Sequence, residues 1–209
     1  QSFWDWVASW AIMARSPADL GFDASRFILP GLVVIRHKSS GYAKPKDGML
    51  LASDVSAIDM HDLKRETASE RASIAASLID PSEGPWLIWV DTDYEADAIM
   101  EKIPEATEVR GNMTPEKKED RLLGFGRGEI PILLTKPKIA GVGMNFQKCA
   151  RQIFVGRSFS YESYFQAVRR CWRFGQTRPV EVHIIVAEGE DQIGRVLERK
   201  EKDHDEMAK

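Results

Sequence analysis

The sequence predicts an α/β protein with a mainly parallel sheet and helices on both of its faces. Three observations lead there. Short apolar runs recur down the chain, at 86–90 ("WLIWV"), 130–135 ("IPILLT"), 152–155 ("QIFV") and 180–186 ("VEVHIIV"). Segments of helical character separate them. The central runs are apolar without alternation, the pattern of strands covered on both faces, as in sheets built from strand–helix–strand units.

Composition narrows the class. At 209 residues the chain can bury a sizeable core. Its 43% apolar and 29% charged residues are those of a globular protein, which sets aside disordered and collagen-like classes. The longest apolar region near the start, "FWDWVASWAIMA", is interrupted by Asp5 and too short to cross a bilayer, and it lacks a secretory signal pattern. Cys149 and Cys171 make neither a zinc spacing nor a disulfide framework, so a reducing, cytoplasmic setting is expected. The four histidines are scattered and no metal site is expected. A first residue of Gln rather than Met suggests a piece of a longer protein.

The elements follow in order. Residues 1–45 read as a connecting segment that leads in from an absent first domain, and residues 46–209 as the domain proper. The segment opens with a Trp-rich helix (Trp4, Trp6, Trp10) whose tryptophans pack back on the domain or form a partner surface; Ser16-Pro17 starts a second short helix. Residues 62–79 hold good helix formers and no breaker. A strand at 86–90, a helix at 94–103 stopped by Pro104, and a short strand at 108–110 come next. Thr114-Pro115 begins an amphipathic helix. Strands at 130–135, 152–155 and 180–186 alternate with helices at 160–173 and roughly 190–206. Trp86 and Trp89 are expected to pack rather than to stack on bases.

Charge is segregated. The net charge is −3, yet from Ile132 to Val180 nine basic residues face one acid, Glu162. Four of the nine (Arg169, Arg170, Arg173, Arg178) fall within "QAVRRCWRFGQTRPV". With Ser160 as N-cap and about 100° per residue, Gln166, Arg169, Arg170 and Arg173 share one helix face. Tyr164, Ala167, Val168, Cys171 and Trp172 share the other. Like charges so placed repel by a few tenths of a kcal/mol per pair. Arginine forks suit a multiply charged anion such as a phosphate chain, and a solvated basic face is the competing reading. In "TKPKIAGVGMNF" (135–146), Gly141, Gly143 and Asn145 permit positive φ and close backbone approach to a ligand. The chain contains no GxxxxGK[ST], so it cannot cradle a nucleotide alone and would complete a site that another domain begins.

Three stretches carry a resemblance: "GNMTPEKKEDRLLGF", "ILLTKPKIAGVGMNF" and "QAVRRCWRFGQTRPVEVHII". In order and spacing they resemble the C-terminal helicase domain of superfamily two ATPases, most of all the Swi/Snf-type branch and related helicases of phages and bacteria. The likeness runs from about Trp86 to Val186. Gln166, Ala167, Arg170, Arg173, Gly175 and Gln176 match the last motif, Gly141, Gly143 and Asn145 the glycine-rich one, and Gly111 with Phe125 the one before. The branch carries an acid where this chain has Arg169, an arginine at Lys118, Trp-Asn-Pro at Phe159-Ser160-Tyr161, and an aspartate at Gly156. Those departures point to a phage or prophage helicase.

The resemblance implies a RecA-like three-layer fold and a motor with ATP and Mg²⁺ bound between two RecA-like domains. The N-terminal one, absent here, would carry the P-loop and the acidic metal motif. Arg170 and Arg173 would be arginine fingers, with Gln166 ordering the network around them. Gly141, Gly143 and Asn145 would support the ATP site and link it to the nucleic-acid track. Thr92, Gly111, Asn112, Thr135 and Lys136 would contact the sugar-phosphate backbone of DNA, or RNA, without reading its sequence. This stretch alone would not hydrolyse ATP. The alternative is a non-catalytic nucleic-acid-binding or protein-interaction module on the same fold.

Overall fold

The structure, a computed structural model, describes residues 2–12, 14, 16–39, 62, 64–141, 143–156 and 160–187. Its elements are α1 (Phe3–Ala8), β1 (Leu32–Ser39), α2 (Ala68–Leu78), β2 (Trp86–Trp89), α3 (Asp93–Lys102), β3 (Thr107–Val109), α4 (Pro115–Arg127), β4 (Ile132–Thr135), α5 (Pro137–Ala140), β5 (Arg151–Phe154), α6 (Tyr161–Val168) and β6 (Val180–Ala187). Short 3₁₀ turns lie at Pro17–Leu20, Ser25–Phe27 and Pro81–Glu83.

The strands form one sheet in the order β1-β6-β5-β2-β4-β3, and every pairing is parallel. Every residue of β2 and β4 is buried, as unbroken apolar runs require. Alternate residues feed two cores. Leu87, Trp89, Leu133 and Phe154 pack with Leu122 and Phe125 of α4, Ala140 of α5, Phe146, and Ala167 and Val168 of α6. Trp86, Ile88, Ile132, Leu134 and Ile153 pack on the other face with Ala72 and Ala75 of α2 and Ala96 and Ile99 of α3. This gives three layers, α2 and α3 on one face and α4 to α6 on the other. Trp86 and Trp89 are packing residues, their indole N–H groups donating to the Asp80 carbonyl and to Gln152 Oε1.

Local chemistry places the helix starts. The Thr114 hydroxyl accepts from Lys117 N ahead of Pro115, and the Ser160 hydroxyl accepts from Ser163 N at the start of α6. Ser16 likewise caps the turn at Pro17.

Three features depart from the sequence reading. The sequence pattern assigns no element to residues 32–39, yet they form β1, an edge strand in register with β6 from Leu32↔Val180 to Ser39↔Ala187. An edge strand feels only one neighbour and its sequence, "LVVIRHKS", mixes apolar and basic residues, which hides it. The helix expected at 160–173 ends at Val168. Arg170 N bonds Ala167 O and Cys171 N bonds Val168 O, a tightening turn, while the Arg170 carbonyl turns away to accept from Phe146 N at 3.0 Å. Gly141 has φ −72°, not a positive value; glycine is needed there because an added Cβ would collide with the Pro137 carbonyl. Gly143, at φ +80°, does use the left-handed region. The helix expected at 190–206 lies outside the described residues.

Phe125, buried against Phe146 with ring centroids 5.1 Å apart, joins α4 to the loop after α5. Phe125→Ala is expected to lower unfolding free energy by about 3–5 kcal/mol, read from urea titration.

Candidate functional site

Two groups of sequence-predicted residues come together, one on the α4–α6 face and one at the carboxyl edge of the sheet. The first is the arginine turn. Arg170 Nη1 and Arg173 Nη1 both donate to the carbonyl of Met144, at 3.1 and 3.3 Å. Arg170 Nε also donates to the Gln166 carbonyl at 3.0 Å. The acceptors are neutral, so they fix the two forks without cancelling their charge. Burial, and then the neighbouring Arg173 and Arg169 charges, lower the Arg170 pKa, as expected where cations crowd together partly out of water. Gln166 contributes its backbone carbonyl to Arg170, while its side chain donates to Glu162 at 3.0 Å.

Arg169 does not join them. With the helix ended at Val168, its guanidinium lies over the rings of Phe165, Trp172 and Phe174, 5.4–5.9 Å from their centroids. The single basic face of three arginines becomes two arginines aimed together and one stacked on aromatics.

The glycine-rich loop is stitched to this turn. Gln176, buried, donates through Nε2 to the carbonyls of Gln147 (2.8 Å) and Cys149 (3.0 Å). Gln147 in turn donates to the Phe174 carbonyl. Gly175 sits at φ +88° with no room for a Cβ beside the Gln147 amide. Asn145 is exposed, its side-chain oxygen accepting from Gln147 N at 3.2 Å, and Gly143 is exposed beside it. Gly141, Gly143 and Asn145 therefore lie on the strip that ends at the arginines.

The second group converges at the ends of β2, β4 and β5. A cleft of about 20 Å³, room for about one water, is lined by Asp91, Lys136, Lys138, Gly156, Ser163 and Tyr164 among others. Thr92 is the N-cap residue of α3. Lys136, the N-cap residue of α5, pairs with Asp93 at 2.8 Å, tying the ends of β4 and β2. That pairing holds the Asp93 carboxyl below its usual range. Gly111 and Asn112 form an exposed turn after β3, with Lys118 Nζ donating to the Gly111 carbonyl at 2.6 Å, and do not line the cleft. Thr135 is buried and donates its hydroxyl to the Val109 carbonyl at 3.1 Å.

Beneath the cleft lies an ion pair that sequence reasoning missed. Arg71 of α2 and Glu95 of α3 meet at 2.9 Å with both side chains wholly shut from solvent. Glu95 Oε2 accepts from Asp91 N and Thr92 N at 2.9 and 3.0 Å. Arg71 also donates to the carbonyls of Val155 and Lys64 and to Thr67 Oγ1. Burial opposes ionisation of Glu95, but the Arg71 charge, the two backbone N–H groups and Lys64 outweigh it and hold its carboxyl below the usual range. A Cβ at Gly156 would collide with both Glu95 oxygens, which gives the departure there a physical counterpart. The Thr92-x-x-Glu95 spacing of a capping box was the available signal.

The structure also joins His37 of β1 to His183 of β6, ring nitrogens 3.0 Å apart, so one ring donates and the other accepts. Burial, then the His37 charge, lowers the His183 pKa. Among the described residues no group of three or more His, Cys, Asp or Glu could hold a metal ion, and no helix is long and apolar enough to cross a membrane. Cys149 and Cys171 are buried free thiols.

The family model described as helicase conserved C-terminal domain matches residues 71–175, half of the chain and the span that carries both groups. The chain belongs to that family. Chromodomain-helicase-DNA-binding protein 1-like of Danio rerio is 33% identical over 87 residues, 42% of this chain and 8% of that protein. This likeness supports the Swi/Snf-like placement. The YwqA protein of Bacillus subtilis is 29% identical over 101 residues, 47% of this chain and 11% of that protein. The chain thus spans about a tenth of the length of these relatives. The C-terminal domain of the DEAD-box protein Dbp5 matches with a TM-score of 0.55 at 15% identity, over 65% of this chain and 80% of that one. That likeness bears out the RecA-like fold and nothing finer.

Two outcomes follow for the buried pair. Gly156→Ala is expected to destabilise the protein by about 1–3 kcal/mol through the collision with Glu95, read from the thermal midpoint. Because the folded Glu95 pKa lies below its unfolded value, its stabilisation is present above the ordinary glutamate range and lost as pH falls through the folded value. The stability difference between wild type and Glu95→Gln should therefore be full at neutral pH and shrink in acid, by urea titration at a series of pH values.

Proposed function

We propose that this chain is the second motor domain of an ATP-dependent DNA helicase or translocase. In this reading Arg170 and Arg173 are arginine fingers of an ATP site completed by a preceding RecA-like domain. The observation that carries the reading is the pairing of the two guanidinium groups on the Met144 carbonyl, charged and held by neutral acceptors. Such forks fit the oxygens of a triphosphate. The two arginine forks fit the phosphates of ATP, and in this reading Mg²⁺ is held, with the P-loop, by the other domain.

ATP supplies the phosphoryl group; these residues bind and orient. Arg170, fixed at Nε by the Gln166 carbonyl, presents its fork to the β- and γ-phosphate oxygens. Arg173 adds the second positive charge, and together they stabilise charge that builds on those oxygens during transfer, an effect worth about 10³–10⁵ in rate in well-studied NTPases. The Met144 carbonyl is the mechanical link. It belongs to the loop that carries Gly141, Gly143 and Asn145, so a shift of the arginines toward phosphate pulls on the strand-end loops. There Thr92, Lys136 and the Gly111–Asn112 turn meet the sugar-phosphate backbone, and Thr135 anchors β4 beneath them.

ATP turnover of the full-length protein, with and without duplex DNA, tests this. Arg170→Ala and Arg173→Ala should each lower DNA-stimulated turnover by about 10³-fold or more while nucleotide binding persists. Wild-type turnover in both variants would refute the finger assignment. No turnover in wild type would favour a non-catalytic binding module.

A further inference from the structure

A buried ion pair is an odd thing to find under a loop. Removing two charges from water is costly, and well-packed apolar residues of similar volume often hold a fold as well or better. What apolar residues cannot do is accept hydrogen bonds from backbone. Glu95 accepts two from backbone and one from its ion-pair partner: Oε2 takes the consecutive N–H groups of Asp91 and Thr92, while Oε1 takes Arg71 Nη1. Both backbone groups belong to the turn between β2 and α3. Arg71 donates onward to the Val155 carbonyl, the last residue before Gly156. β2 and β5 are neighbours in the sheet, with Trp89 opposite Phe154. One ion pair thus fixes the turns at the ends of two adjacent strands, and Asp91 and Gly156 are the residues through which those turns line the cleft. Lys64 Nζ, 3.5 Å from the Asp91 carboxylate, adds a third tie to the same turn.

We propose that Glu95 is a positioning residue, which, balanced by Arg71, holds the Asp91–Thr92 turn in the shape that receives the phosphate backbone of the nucleic acid. The inference rests on the reading of the carboxyl edge as the nucleic-acid track. Glu95 touches neither nucleotide nor nucleic acid. Its part is to keep two amide N–H groups turned inward, so that the turn cannot spend them on solvent or rearrange between rounds of binding. The empty Cβ position at Gly156 belongs to the same device. The carboxylate occupies the space a side chain would take, so that the two turns share one acid.

The test uses the full-length protein carrying Glu95→Gln, which keeps the shape but loses the charge. Two quantities are read: hydrogen exchange at the Asp91 and Thr92 amides, and the duplex DNA concentration giving half-maximal ATP turnover. Exchange at those amides should speed up by about tenfold, and half-saturation should need about tenfold more DNA, with turnover at saturating DNA nearly unchanged. Moving the acid across the cleft, as Glu95→Ala with Gly156→Asp, should restore most of the DNA response that Glu95→Ala alone loses. A fall in melting temperature with unchanged exchange at the turn and unchanged half-saturation would overturn the proposal, since a merely structural pair would behave so. Failure of DNA to stimulate the wild type would instead overturn the motor reading and this role in binding with it. The exchange result would then show only whether Glu95 orders the turn.

Discussion

The Arg71–Glu95 pair is the constraint around which the carboxyl edge of the sheet is arranged. Its few atoms hold α2, α3, the end of β2 and the end of β5 together. Each apolar core secures one face of the sheet, and one of them extends a single residue past β2 and β5, to Val90 and Val155, but Asp91, Thr92 and Gly156 belong to neither. Backbone groups in those turns need partners that water supplies only at the price of mobility. A carboxylate sealed between two helices supplies them without mobility, and Arg71 makes that carboxylate tolerable where water is absent. The two turn residues that line the cleft, Asp91 and Gly156, are therefore flanked by backbone bonded to buried side chains, while helix and strand residues supply most of the remaining wall.

A parallel logic governs the arginine turn. Ordinary helix continuation would spread Arg169, Arg170 and Arg173 around a face. Ending α6 at Val168 lets the Arg170 carbonyl bond Phe146 N and turns two forks onto one carbonyl. Repulsion between the forks is accepted because Met144 and Gln166 offer them fixed neutral acceptors. Arg169, the third cation, is removed from the competition by stacking on aromatic rings.

The sequence made the central sheet legible because β2, β4, β5 and β6 are apolar runs bounded by helix caps, and burial on both faces leaves no other pattern. It made the arginines legible as a charge anomaly in an acidic chain. It could not show β1, whose residues satisfy only one neighbouring strand. It could not show Arg71 and Glu95, 24 residues apart in helices with ordinary surface-like composition, because their burial depends on which way two helices face. The histidine pair is hidden for the same reason: 146 residues separate partners that only a sheet register brings together. The glycines were legible as special positions, but whether each served φ or space depended on the backbone around it.

The pairing of β1 with β6 has a mechanical side. Eight registered positions join the segment after the N-terminal aromatic region to the strand that follows the arginine turn. Trp172 donates to the Pro30 carbonyl at 2.8 Å and Phe174 meets Phe27 edge-on, so the same segment grips the turn itself. In a parallel pair both strands begin at the same end, so the N-terminal segment and the arginine turn enter this joint side by side, at Leu32 and Val180. Tension between them would open the ladder one pair at a time from that end, like a zipper, with the Trp172 and Phe174 contacts as the clasp that must yield first.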